Sequence, residues 1–374
     1  MKLKTRSRLV LGLTALVAAL QCSTAAIAQT SYPSMLGNVE PALRDRLFMR
    51  LDYIRANVKS TVGAVRDVTG PVLAKGDLTR LASGEGGIVV ASGGTLSQYR
   101  LAANAMDGNP AGFTEAEIRG GLANDALDGL ECEAVGLGSA CNMRARGQAM
   151  IGTPAVSVGY FLGDEHTWAV EAFVLAKPID VSITGDGPNQ LNGKEIIKTK
   201  LLPPVVKFGR YFGAKEDKIR PYVGLLASYA IFFDSEATGG LNNYVGGSSQ
   251  KDTTVNLKNA FGWGWMLGAR ADFGGDWHVA LNIGKIRYKT ETTITTRNTI
   301  ITNDTPALND YGLYAKDAIA VGNSGIAGGT TQIMCNVAKL KNGPDAGCNL
   351  GTFSRKSDNV LDNTLFVLSV GRSF

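Results

Sequence analysis

Histidine is nearly absent: the 374 residues contain two, His166 and His278, alongside five cysteines. That excludes a His-rich metal centre, and no H-x-x-x-H or C-x-x-C spacing occurs that would build a zinc site. Charge is sparse too. Charged residues make up 19% of the chain, under the roughly 25% of an ordinary soluble domain. Of the net +5, Lys2, Lys4, Arg6 and Arg8 supply four, so the remainder is close to neutral and carries no basic stripe for nucleic acid. Beyond the N-terminal segment no apolar run reaches the ~18 residues of a membrane-crossing helix. A nucleophile elbow, P-loop, dinucleotide fingerprint and zinc signature are all missing. The glycine-rich stretches at 84–87, 93–94 and 246–247 lack the lysine and the strand-to-helix setting of a phosphate cradle. Neither enzymatic activity nor a cofactor is expected.

What is present begins with an export signal. Basic residues at 2–8 precede an apolar run at 9–20, and Ala26-Ile27-Ala28 forms a small-x-small cleavage site. The run falls short of the ~20 residues a spanning helix needs, so residues 1–28 are expected to be a signal peptide, with Gln29 as the mature start. Removing Cys22 leaves Cys132, Cys141, Cys335 and Cys348. An even number in an exported chain favours disulfides. Three connectivities are open; pairing Cys132 with Cys141 and Cys335 with Cys348 closes the shortest loops and is the expectation.

From Arg46 onward, segments alternate with a period of two, the pattern of strands. Leu47, Met49, Leu51 and Tyr53 share one face, opposite Phe48, Arg50, Asp52 and Ile54. The same alternation recurs around Val156–Leu162, Trp168–Leu175, Val205–Phe212, Tyr222–Phe233, Phe261–Arg270, Val279–Gly284 and Phe366–Phe374. That gives eight candidate strands. One face is apolar and aromatic, and the other mixes small, polar and occasional apolar residues. A soluble sandwich would bury the apolar face; a transmembrane barrel turns it to lipid and the mixed face to the lumen. Gly262, Gly264 and Gly268 recur on the mixed face, as a crowded narrow lumen requires. Short connections at 163–166, 214–219 and 274–276 alternate with long ones, matching periplasmic turns and external loops. The fold class read from the chain is therefore all-β: an eight-stranded antiparallel transmembrane β-barrel with two long external loop insertions, at 60–150 and 302–359. A capping-box pair, Thr114 with Glu117, opens a helix predicted to about Leu127, and a second is predicted over 96–106. Thr290, Thr292, Ile294 and Thr296 prolong the seventh strand beyond the bilayer.

Specific strings carry a resemblance: Phe48-Met49-Arg50; Leu202-Pro203-Pro204 followed by Tyr211-Phe212-Gly213; Arg220-Pro221-Tyr222-Val223-Gly224 leading to Phe232-Phe233-Asp234; Asp276-Trp277; and the terminal Gly371-Arg372-Ser373-Phe374. In this order and spacing the chain resembles the OmpW family of outer-membrane barrels (OmpW/AlkL-like) over residues 46–58, 155–300 and 361–374. The resemblance implies a Gram-negative outer-membrane location and a narrow, largely hydrophobic conduit for small apolar molecules. It also implies recognition by the barrel-assembly machinery through the C-terminal strand ending at Phe374. Two positions depart from the family pattern: Gly284 stands where a lumenal aromatic is common, and Arg372 where the sorting signal carries an aromatic.

Eight strands leave an interior just wide enough for side chains or one small ligand. Strand parity places Arg50, Asp52, Glu171, Lys207 and Arg270 inward. Buried charges must pair, so they are read as a lumenal plug toward the periplasm, in preference to a catalytic carboxylate pair. Ile54, Phe173, Leu175, Leu226 and Phe232 also point inward and are the candidate apolar ligand path. Pro203 and Pro204 cannot donate ladder hydrogen bonds and mark a candidate lateral exit into the membrane, or simply a strand start. Passive uptake of small hydrophobic compounds is the first functional reading. The alternative is a structural or surface-interaction barrel through which nothing passes; a lumen wholly filled by ion pairs would favour it.

Overall fold

Burial follows the parity read from the sequence. Along β1 (Leu47–Val62), Phe48, Arg50, Asp52, Ile54, Ala56 and Val58 are buried, while Leu51 is 71% exposed. The computed structural model describes residues 46–63, 65–69, 73–74, 77–85, 136–137, 144–186, 191–302, 304–305 and 329–374. The chain divides into two units, 1–45 and 46–374; the first, with its signal-peptide expectation, lies outside the described residues. So do the helices expected at 96–106 and 114–127 and the pair Cys132 and Cys141.

The strands after β1 are β2 (Arg66–Asp67), β3 (Leu73–Ala74), β4 (Gly136–Leu137), β5 (Arg144–Leu162), β6 (Trp168–Leu175) and β7 (Ile179–Asp186). There follow β8 (Glu195–Leu202), β9 (Val205–Tyr211), β10 (Ile219–Ala237), β11 (Thr253–Leu257), β12 (Ala260–Gly274), β13 (Trp277–Thr296) and β14 (Phe353–Ser373). At the end with short turns, an antiparallel ring closes through β1, β5, β6, β9, β10, β12, β13, β14 and back to β1. At the insertion end it closes again, with β7, β8 and β11 taking the places of β6, β9 and β12. Three strands of the barrel are thus interrupted once each, and the fold is an eight-stranded antiparallel barrel. The turn joining β12 to β13 is tight because Gly274 and Gly275 adopt φ of 89° and 62°, where glycine alone carries no Cβ penalty.

Strands run further than the alternation suggested. β1 reaches Val62, β5 starts at Arg144 and β14 at Phe353, so the insertions read as 60–150 and 302–359 are shorter than expected at every one of these edges. The lipid-facing alternation does not reveal the hairpin of β7 and β8. All 20 residues of β13 pair with β14. At ~3.4 Å per residue that is close to 70 Å, far more than a tilted strand needs to cross ~30 Å of hydrocarbon. The prolongation through Thr290–Thr296 is one continuous strand.

The outer surface marks where the membrane ends. Leu225, Trp263 and Leu281 are 66%, 70% and 64% exposed, part of a belt far larger than a soluble surface tolerates. Toward the insertions the outward positions become Arg55, Asp180, Lys200, Asp234, Lys258, Lys285 and Asp362. Aromatics border the belt as in outer-membrane barrels: Trp168 stacks on Phe208 near the turns, with ring centres 5.0 Å apart.

Among the described residues, α1 (Asp77–Ala82) lies in the first insertion, α2 (Gly239–Tyr244) between β10 and β11, and α3 (Gly329–Asn342) in the second insertion. Ile333, Met334, Val337 and Ala338 of α3 are fully buried in the same apolar cluster that lines the barrel interior. Lys341 of α3 pairs with Asp77 of α1 at 2.7 Å, joining the two insertions. Cys335 and Cys348 form the disulfide expected from the sequence. A loop of this length stabilises by about 3 kcal/mol. Peptide mapping without reductant is expected to recover Cys335 linked to Cys348. Cys348→Ser is expected to speed proteolysis within 329–352 while the barrel persists on an unheated gel, because β13 and β14 pair without it. Proteolysis unchanged by the substitution would mean that the bridge does not hold this segment.

Candidate functional site

All ten inward residues singled out from parity face the lumen and are buried. The structure divides them differently from the sequence reading. Arg50, Glu171 and Lys207 meet in one ion cluster near the turn end. Arg50 Nη1 donates to both Glu171 oxygens, at 2.9 and 3.1 Å. Lys207 Nζ pairs with the same carboxylate, and the Ser157 hydroxyl donates to it at 3.0 Å. All three charged side chains are at 0% exposure. Arg270 stands apart, held by Asp272 at 2.7 Å and donating to Ser373 Oγ at 3.0 Å. Asp52 makes no ion pair with Arg50, Lys207 or Arg270; it faces Ser369 across β1 and β14.

The cluster is walled by groups that sequence reasoning did not single out. His278 Nε2 accepts from Arg50 Nε at 3.0 Å. Lys207 Nζ lies 4.2 Å from the centre of the Tyr222 ring, and Tyr222 hydrogen-bonds Asn282. Below it, Phe48 and Phe161 approach to 5.1 Å, and Phe161 stacks on His166 at 4.6 Å. Three glycines make room for these side chains. A Cβ at Gly224 would lie 2.9 Å from Lys207 Cγ, one at Gly371 2.7 Å from His278 Nε2, and one at Gly159 inside the Phe48 ring. The floor is therefore closed by close-packed rings and ion pairs.

Above the floor the lumen turns apolar within one rung, since Leu226 is the direct cross-strand neighbour of Lys207. Ile54, Leu175, Leu226 and Phe232 belong to one apolar cluster with Leu201, Met266 and Ile286. Phe173 is outside that cluster; its ring centre is 5.6 Å from Lys207 Nζ, so it roofs the charges. Further out is a small, mostly apolar pocket to which all eight strands of the outer ring contribute, among them Val58, Val181, Ile183, Phe232, Leu257 and Leu361. Its polar lining groups are turned to the wall. Ser60 Oγ accepts from Gly147 N at 2.6 Å, Thr199 bonds Ser235 at 2.7 Å, Thr290 bonds the Lys258 carbonyl, and Asn359 donates to Thr292 at 2.7 Å.

One side of the wall is interrupted beside this cavity. Both halves of the third barrel strand, β6 and β7, keep a single register with β5, and β8 and β9 keep a single register with β10 as far as Phe233. Between the third and fourth strands the register slips by two residues. Phe173 faces Val205, which would set Ile179 opposite Thr199, yet Ile179 faces Leu201. No rung is formed between 174–178 and 202–204. Pro178, Pro203 and Pro204 fall within this gap and Pro154 beside it on β5, and none can donate to a ladder. The Pro204 carbonyl is taken by Ser228 Oγ at 2.8 Å. Pro203-Pro204 is thus a break within a strand of the barrel. It sits at the level where the outer surface changes from apolar to charged, below Asp180 and Lys200. Beyond the membrane level, the Ser248 hydroxyl and the Ser249 amide hold the Asp252 carboxyl below the usual range, which fixes the turn before β11.

Residues 118–307 match the OmpW family. The chain is 33% identical over 113 residues to Outer membrane protein W of Vibrio cholerae, covering 30% of this chain and 50% of that protein. It is 32% identical over 82 residues to Outer membrane protein W of Escherichia coli K12, covering 22% and 36%. The chain thus spans half or less of the length of these relatives. Among solved structures it is similar to the outer membrane protein OprG from Pseudomonas aeruginosa, with a TM-score of 0.46 and 13% identity over 88% of this chain and 96% of that one.

Proposed function

The chain belongs to the OmpW family of outer-membrane barrels, and on that premise we propose that it passes small hydrophobic molecules passively from outside into the membrane. The observation that carries this reading is the apolar cavity standing directly above the break between the third and fourth strands. Among the described residues, the buried ion cluster and the packed rings below it close the straight path toward the periplasm. For an apolar solute reaching the pocket, a route that keeps it out of water runs sideways through the unpaired stretch between Leu175 and Pro203. Moving ~200 Å² of apolar surface from water into hydrocarbon gains about 5 kcal/mol, so no energy source is required. Ile54, Leu175, Leu226 and Phe232 form the path and Pro203 and Pro204 the exit; Arg50, Glu171 and Lys207 close the floor.

The test is uptake of an alkane and a small aromatic by cells with and without the protein in the outer membrane. Faster uptake with the protein, alongside small conductance in planar bilayers, is expected. Equal uptake would leave the barrel as a structural or surface-interaction protein.

A further inference from the structure

Arg220 on β10 and Arg270 on β12 are direct cross-strand partners. Both point into the lumen near its turn end, and both are buried, at 2% and 7% exposure. Directly opposed residues on one face have Cβ atoms ~5 Å apart, and like charges there are destabilising. The surroundings do not resolve the conflict. Asp272 is committed to Arg270, receiving Nε and Nη2. Arg220 has a single hydrogen-bond acceptor, the His166 carbonyl at 2.8 Å, and no carboxylate accepts from it among the described residues. Phe161 lies under both guanidiniums, at 5.9 and 5.4 Å, and Tyr211 under Arg220 at 5.5 Å. Ring faces attract a cation but accept nothing from its in-plane N–H groups. Arg220 Nε and Arg270 Nη1 are left buried without an acceptor. Across this half of the lumen the buried cations Arg50, Lys207, Arg220 and Arg270 face two buried carboxylates, Asp52 and Glu171, while Asp272 and Asp217 act on Arg220 from the turn side.

We propose that Arg220 and Arg270 form a binding site for a small monovalent anion of the halide class, closing the periplasmic end of the lumen. One such ion supplies a negative charge where like charges oppose and an acceptor for donors that otherwise lack one. The two donors are shielded from solvent, which limits the occupant to a compact ion. The site is independent of whether any apolar solute crosses the barrel.

The experiment follows the temperature at which the folded band of the detergent-solubilised full-length protein converts to the unfolded band, in sodium chloride, bromide or gluconate at equal ionic strength. Wild type is expected to convert at a higher temperature in chloride and bromide than in gluconate, with a saturating dependence on chloride. Arg270→Gln is expected to lose that difference, and Arg210→Gln, an exposed arginine on β9, to keep it. Chlorine NMR on the wild type reads the same site without a variant, as line broadening by the folded barrel that bromide displaces. Equal conversion temperatures in all three salts, a chloride shift that survives in Arg270→Gln, or no displaceable broadening would overturn the proposal.

Discussion

Glu171→Gln is expected to be the most destabilising single substitution in the barrel. The carboxylate is shared by Arg50 and Lys207, and all three side chains are withdrawn from solvent. A neutral amide leaves two buried cations with no counter-charge. Breaking a buried pair by removing one partner costs about 3–5 kcal/mol, and here one carboxylate serves two cations. Lys207→Met should cost less, since Glu171 keeps both hydrogen bonds from Arg50 and its bond from Ser157. The expected order of loss is Glu171→Gln, then Lys207→Met, read as the urea concentration that unfolds the barrel in detergent. Neither variant should conduct strongly, because Phe48, Phe161, Tyr211 and Tyr222 still pack across the floor. An unfolding midpoint for Glu171→Gln equal to wild type would mean the cluster contributes no net stability.

This cluster shows how far the sequence could be read. Period-two parity assigned Arg50, Glu171, Lys207 and Arg270 to the lumen, because a side chain in a strand has only two directions to point. It did not say which charges meet, since that depends on the stagger of strands around the barrel. Parity alone groups Arg270 with the plug, whereas its partner is Asp272, two residues on and on the same face; an Arg-x-Asp pair within one strand is a legible signal. His278 carried no such signal, because a lone histidine opposite an arginine is invisible until register is known. The hairpin of β7 and β8 escaped for another reason. Its outward residues Asp180, Ser182, Lys198 and Lys200 stand above the membrane, where a strand shows an ordinary polar face and the lipid-facing pattern used to find the others disappears. The strings Arg220-Pro221-Tyr222-Val223-Gly224 and Gly371-Arg372 did carry information. Arg220 and Tyr222 line the floor, and Gly224 and Gly371 yield their Cβ space to Lys207 and to Arg50 with His278.

Register also decides where the uptake proposal is best tested. Leu226 is the inward residue nearest mid-lumen, but Leu226→Asp would stand directly across from Lys207. The new carboxylate could join the ion cluster there, and lost uptake would then report a rearranged floor. Phe232 is better placed, because it lines the outer cavity and its cross-strand neighbour Leu201 is apolar. Polar groups around it already bond the wall, so an aspartate at 232 would find few partners and would hold water in the cavity. An apolar solute would then have to displace hydration that the protein cannot replace, at a cost of at least several kcal/mol for a charged group. Since ~1.4 kcal/mol is tenfold, Phe232→Asp is expected to lower protein-dependent uptake of an alkane by at least about tenfold. Phe232→Leu should stay within a few-fold of wild type, because the cavity remains dry. Both should show the folded band on an unheated gel, since the Phe232 backbone N–H is held by Asn259 Oδ1 at 2.9 Å whatever the side chain. If Phe232→Asp folds and transports like wild type, the cavity is not on the route, and the break at Pro203-Pro204 is a feature of the wall with no cargo to release.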